Sequence, residues 1–320
     1  MPAGSTALAA AVLGASLVAS SPEPLLRIQD PALLESSGLA ASVRHPGVLW
    51  THADGGTVAQ VRAVDGGGAT VATVTVAGID PWDPEAMAIS SSSGEPEIYL
   101  GDIGDNQAER DDVSVFRFAE PPSLTDQSVE VLWYRFTYPD GPHDAEALLV
   151  HPRTGRIYIA TKSFGQGGLY RAPREPVTVD NGSNELERVG AVPPLVTDGV
   201  FLPDGRFALR TYSSVHVYDR PGEEVASAAL PAQPQGESIA VRDGELLVGS
   251  EGERSAVYAV PVPSAPEFEP TPTRAADRSP TRADGQAWRD AYRVARAVAI
   301  VVVLVGIVVA LRRSHTRRRR

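Results

Sequence analysis

The sequence reads as an all-β fold of repeated four-stranded units, and three observations carry that reading. Between Leu25 and Pro263 there is no long helical periodicity, only short Val-, Ile-, Leu-, Tyr- and Thr-rich runs cut by Gly, Pro, Asp and Asn. The runs recur as an ordered set with a period of about fifty residues. The 320 residues include 29 Gly and 27 Pro, which supply many turns and leave little room for helices.

The elements follow in order. LLRIQD, residues 25–30, is a lone strand ahead of the first unit. Each unit then opens on a first run: SSGLAAS, EAMAIS, EALLVH, DGVFLP and ESIAVR. Second runs come next as VLWTHADGG, EIYLGDIGD, RIYIATKSF, RFALRTYSS and ELLVGSEGE. AQVRAVD, VSVFRFA, GLYRAP, SVHVYD and AVYAVPV form the third set, and ATVATVTVAG, VEVLWYRFTYP, ELERVGAV and EEVASAAL the fourth. The fifth unit lacks a fourth run, and residues 25–30 can supply it. Closing the sheet that way is how a β-propeller avoids an open edge. The count gives five four-stranded blades, and six only if the long second unit hides another sheet.

The flanks read as membrane addresses. TALAAAVLGASLVA, residues 6–19, has the apolar core and following small residues of a secretory signal over residues 1–20, although no basic residue precedes it. The extracytoplasmic propeller is expected over 21–263, and a Pro-rich linker over 264–290. Residues 291–311 are long enough to span a bilayer if Arg293 and Arg296 snorkel. Residues 312–320, with six arginines, then form a basic cytoplasmic tail, which places the propeller outside a single-pass cell-membrane protein.

Composition excludes several chemistries. No cysteine occurs, so disulfides, thiol catalysis and cysteine-ligated metals are ruled out. Net charge is −11 even with that basic tail, so the remainder is strongly acidic and nucleic acid is not an expected partner. No P-loop, dinucleotide-binding turn or GxSxG elbow is present.

In a four-stranded meander, the loop entering strand one and the loop joining strands two and three lie on one face. Aligning the first runs sets Ser37, Glu85, Glu146, Asp198 and Glu237 at one position around the central channel. These are the candidate metal ligands. Carboxylates facing one axis must share a proton or a cation, and a hard cation, calcium first and magnesium second, suits such oxygen donors. The alternative is that each acid holds backbone N–H groups of the next blade. Aligning the second runs sets His52, Asp102, Thr161, Thr211 and Ser250 together, followed by Ala53, Ile103, Lys162, Tyr212 and Glu251; the candidate ligand-binding residues are His52, Asp102, Lys162, Tyr212 and Glu251, with Arg210 as a second cation at the rim and Asp105 slightly further out in GDIGDN. Lys162 is the only lysine of the chain. As cations beside an acidic mouth, Lys162 and Arg210 either hold an anionic ligand or offset neighbouring acids.

The runs ESSGLA, LWTHADGG, EIYLGDIGDN, PHDAEALLVHPRTGRIYIATK and PQGESIA resemble exported β-propeller proteins of high-GC bacteria, a group similar to phytase-like esterase and TolB-like propellers, over roughly residues 25–262. The ring of Glu85, Glu146 and Glu237 with Ser37 is similar in pattern to five-bladed calcium-activated nucleotidases, which implies an axial calcium. Two functions are therefore expected: a membrane-anchored module binding an extracellular ligand or protein, or a cation-dependent phosphoric-ester hydrolase. No acid, base or nucleophile is singled out by spacing, which favours the module.

Overall fold

The computed structural model describes residues 22–55 and 58–264, and the expected signal, membrane span and tail lie outside them. Strand β1 (Leu26–Arg27) comes first, followed by a 3-10 turn at Pro31–Leu33. Blade 1 holds β2 (Ser36–Ala41), β3 (Leu49–Ala53), β4 (Gln60–Val64) and β5 (Thr70–Val76). Blade 2 holds β6 (Pro84–Ser90), β7 (Glu97–Asp102) and β8 (Val113–Ala119); after β9 (Gln127–Val129) it is completed by β10 (Leu132–Thr137). Blade 3 has β11 (Ala145–Val150), β12 (Ile157–Thr161), β13 (Gly167–Arg171) and, after β14 (Asn184–Glu185), β15 (Glu187–Val192). Blade 4 contains β16 (Val196–Phe201), β17 (Phe207–Thr211), β18 (Ser214–Arg220) and β19 (Glu223–Ala229). Blade 5 contains β20 (Gly236–Arg242), β21 (Glu245–Ser250) and β22 (Ala256–Pro261), and β1 adds to β22 as its fourth strand.

The described residues form a five-bladed β-propeller of four-stranded antiparallel blades. Five apolar clusters hold it together, one between each pair of neighbouring blades, including Leu26, Leu247 and Val257 of blade 5 against Leu39, Leu49 and Val64 of blade 1. A ring of such interfaces lets each sheet bury both faces. Trp50, wholly buried, fills the interface of blades 1 and 2 and donates from Nε1 to Glu120 at 2.7 Å.

The structure adds two strands that the run pattern did not separate. The front of the long VEVLWYRFTYP region breaks off as β9 and pairs parallel to β5 of blade 1, and β14 pairs parallel to β10 of blade 2. The extra material in unit two therefore bridges blades and forms no sixth sheet.

Inner strands β2, β6, β11, β16 and β20 all start on one face, where the loops β3–β4, β7–β8, β12–β13, β17–β18 and β21–β22 also lie. Strand β22 runs away from that face, so the described chain ends on the opposite side. There, a cavity of about 380 Å³ opens among the far ends of the inner strands, lined by residues such as Leu39, Met87, Leu148, Val200 and Ala240.

Candidate functional site

In every blade, the pairing of the inner strand with its neighbour slips near the mouth. The shift falls between Ser36 and Leu39, Pro84 and Ala86, Ala145 and Ala147, Val196 and Asp198, and Gly236 and Ile239. A bulge of this kind re-aims the extra side chain out of the ladder. Matching the ladders across the blades makes Ser37, Glu85, Glu146, Thr197 and Glu237 equivalent.

Two alignments made from sequence are therefore one residue out. Thr197, not Asp198, is the blade 4 counterpart, because Val196 pairs with Thr211 as Pro84 does with Asp102. Ala53, not His52, pairs with Ser36. A slip of one residue turns a side chain to the other face of its strand. Asp198 is fully buried, its two carboxylate oxygens accepting from Gly199 N and Ile239 N, both at 2.7 Å, so it ties the inner strands of blades 4 and 5. His52 lies beneath Gly38, and burial depresses its pKa to about 4, leaving a neutral ring whose Nδ1 meets the Ala53 carbonyl at 3.1 Å.

The corrected register brings in Asp54, which sequence reasoning passed over. It takes the place held by Lys162, Tyr212 and Glu251 in blades 3, 4 and 5. The backbone bonds Asp54 N to Glu35 O, Lys162 N to Asp144 O and Glu251 N to Gln235 O repeat the equivalence.

Arg210 also differs from expectation. Its guanidinium is fully buried, with Nη1 donating at 2.7 Å to both Ser238 O and Gly249 O and Nη2 donating at 2.6 Å to Gln233. It fastens blade 4 to blade 5 and is buried away from the rim, its Nε without a partner. Asp102 and Asp105 organise the GDIGDN loop. Asp102 accepts from Trp82 N, Asp83 N and Arg110 Nη1, and Asp105 from Glu109 N and Arg110 N. Gly104 is needed where this loop crosses blade 2, since a Cβ there would stand 2.4 Å from Asp83 and 2.8 Å from Glu85. The loop is thus a wall of the mouth built from ordinary turn chemistry.

What converges at the axis is a set of carboxylates from several blades. Glu85 and Glu237 are 8% and 4% exposed. Burial, then Glu146, Asp83 and Asp54, push Glu85 up to about 10, with Lys162 opposing. Burial, Glu237, Asp54 and Glu35 raise Glu251 to about 8. Burial with Glu35, Asp83 and Glu237 raises Asp54 to about 7. Burial also raises Glu237, against the pull of Lys162 and Arg210. Because Glu237 acts on Asp54, Glu146 and Glu251, residues of blades 1, 3 and 5 share one electrostatic site.

Lys162 sits within it. Its Nζ bonds the Glu146 carboxylate and lies 5.3 Å from the centre of the Tyr212 ring. Burial opposes its charge, but Glu146 more than offsets that and holds the ammonium well protonated. Glu146 is raised by its own burial and by Glu237 and Asp144, Lys162 notwithstanding. Ser37 donates to the Glu85 carboxylate at 3.1 Å and to the Glu85 carbonyl at 2.9 Å. At the rim Trp82 and Phe164 are 78% and 85% exposed, and Arg110 lies 5.9 Å from the Trp82 ring centre.

A calcium ion takes 6–8 oxygens at one point. Among the described residues, no three His, Asp or Glu side chains stand together as metal ligands. Both Asp198 oxygens serve backbone amides, and Glu146 serves Lys162.

No protein-family description matches the chain, and no curated protein matches it. Solved structures with a similar fold include a gluconolactonase from Xanthomonas campestris, 12% identical over 76% of this chain and 96% of that one, TM-score 0.43. The nidogen/laminin complex is 12% identical over 70% of this chain and 82% of that one, TM-score 0.43. The PQQ-bound aldose sugar dehydrogenase of Streptomyces coelicolor is 10% identical over 75% and 96%, TM-score 0.42. Likeness at this level carries no inference about ligand or reaction.

Proposed function

We propose that this propeller is a binding module, anchored at the cell surface through the C-terminal apolar segment, whose ligand enters the axial mouth. The observation that carries it is Glu237, a carboxylate only 4% exposed that accepts no backbone N–H bond among the described residues and has the Gln235 side chain as its hydrogen-bonding neighbour. The amide of Gln235 eases its charge but is committed to Glu251. Lys162 and Arg210 act on it without forming an ion pair among the described residues, so ionising this buried acid stays costly. Asp198 shows that this ring can spend an acid on the fold; Glu237 is not spent that way. Groups destabilised without structural return cluster at functional sites.

No observation favours the phosphoric-ester hydrolase. Among the described residues no three His, Asp or Glu side chains stand together as metal ligands, and the one hydroxyl bonded to a carboxylate of the ring, Ser37 on Glu85, also donates to the Glu85 carbonyl.

The test is the melting temperature of the Glu237→Gln variant at about pH 8, where the unfolded chain has released these protons and the fold is penalised for burying the acids. A ligand-site acid predicts a rise of roughly 2–4 °C. A fall would show that Glu237 serves the fold and would remove this reading. A panel of phosphatase and nucleotidase substrates, with calcium or EDTA, should show no turnover. Turnover lost in Glu146→Gln would instead establish the hydrolase.

A further inference from the structure

The mouth is acidic in a specific way. Glu35, Asp54, Asp83, Glu85, Asp144, Glu237 and Glu251 surround it in addition to Glu146. They face one opening, yet no three converge as a metal site among the described residues. Negative charge spread in this manner suits a cation that is itself extended, with N–H donors that reach separate carboxylates.

The protein already contains an example of the favoured guest. Lys162, the one lysine in 320 residues, places an alkylammonium between the Glu146 carboxylate and the Tyr212 ring. Carboxylate and aromatic face together are a strong setting for an ammonium with its water removed. On the opposite side of the axis, Glu237, Glu251 and Asp54 feel Lys162 or Arg210 only at a distance or not at all and form no ion pair among the described residues, and Asp54 Oδ1 is a buried oxygen with no hydrogen-bond partner. The exposed rings of Trp82 and Phe164 on the same face provide further surfaces for an aliphatic cation.

Resting on the binding-module reading, we infer that the mouth receives an alkylammonium group, from a free linear polyamine or from the lysine side chain of a peptide, held by Glu237, Glu251 and Asp54 across the axis from Lys162. The charged nitrogen must carry hydrogens, because its bonds to carboxylates need N–H donors. A quaternary ammonium lacks them.

Calorimetric titration of the full chain with spermidine, an uncharged-end-capped lysine peptide, choline and calcium chloride tests this. Saturable binding of spermidine or of the lysine peptide is expected, weakened about tenfold or more by Glu237→Gln with Glu251→Gln. Whichever of the two binds tighter identifies the source. A second variant guards against loss of fold. Lys162→Met should melt lower than wild type and regain stability in propylammonium by a larger margin than wild type, because Glu146 then lacks its cation. Binding of choline as tight as spermidine, calcium binding that displaces the amine, unchanged affinity in the double variant, or no amine binding in either arm would overturn the inference. If no amine binds while Glu237→Gln still melts higher, the binding-module reading survives and only the ligand class fails. If Glu237→Gln melts lower, the module reading itself fails.

Discussion

At the scale of single residues, acids that look alike in sequence do opposite work. Asp198 and Glu237 are both buried carboxylates at the head of inner strands, but Asp198 accepts two backbone N–H bonds and Glu237 none. Asp198→Asn keeps one acceptor and turns an NH2 toward a backbone donor. It should lower stability by about 1–3 kcal/mol, where Glu237→Gln is expected to raise it. Arg210→Met should cost about 3–5 kcal/mol, since it strips the Ser238 and Gly249 carbonyls of their donor and leaves Asp198 and Glu237 without their nearby cation. Urea denaturation of the three variants checks the pattern, and a stabilising Asp198→Asn would contradict the assignment of that acid to the fold. The sequence shows the acid at each strand head. It does not show bulge length, which is two residues opposite one in blades 1 and 5 and a single inserted residue in blades 2, 3 and 4. Glu85, Glu146, Glu237, Lys162 and Glu251 were legible from the strand-head pattern, while in blade 4 the acid beside Thr197 drew the alignment one residue on, and in blade 1 the same one-residue error placed His52 and passed over Asp54.

At the scale of elements, the weak point of the ring is its closure. Strand β1 contributes only two residues to the sheet of blade 5. It is steadied by the β4–β5 turn of blade 1, where Gln29 N donates to Gly68 O at 2.8 Å and its side-chain amide to Gly67 O at 2.6 Å. Gly68 has φ +86°, and a Cβ there would stand 1.8 Å from the Arg27 carbonyl oxygen. Gly68→Ala should therefore push β1 away from blade 1 as well as strain the turn, costing about 1–3 kcal/mol by chemical denaturation. A change within a few tenths of a kcal/mol would mean that β1 adds little to the closed ring. The closing strand was legible because unit five lacks a fourth run. Strands β9 and β14 were not, because they span three and two residues and pair across blades, where no periodicity within a run points.

At the scale of the whole molecule, the mouth should set how stability varies with pH. Asp54, Glu251 and Glu85 are raised to about 7, 8 and 10, above their ordinary values of 3.8, 4.5 and 4.5. In the folded protein these acids keep protons that the unfolded chain has already released. Stability must then fall as pH climbs from the unfolded values through the folded ones. His52 works in the other direction, depressed from 6.5 to about 4, but it is neutral in both states above 6.5 and drops out there. Between about pH 6.5 and 8 the carboxylates therefore act alone, and the melting temperature should decline steadily across that interval. Glu251→Gln should flatten the slope. Adding a bound cation should flatten it too, because the cation favours the ionised acids that alkali otherwise turns against the fold, and its binding should release protons most strongly near pH 7. A melting temperature that is level or rising over this interval would mean that the acids are ionised at their ordinary pKa values, and that the axial mouth is wetter and less crowded than its geometry implies.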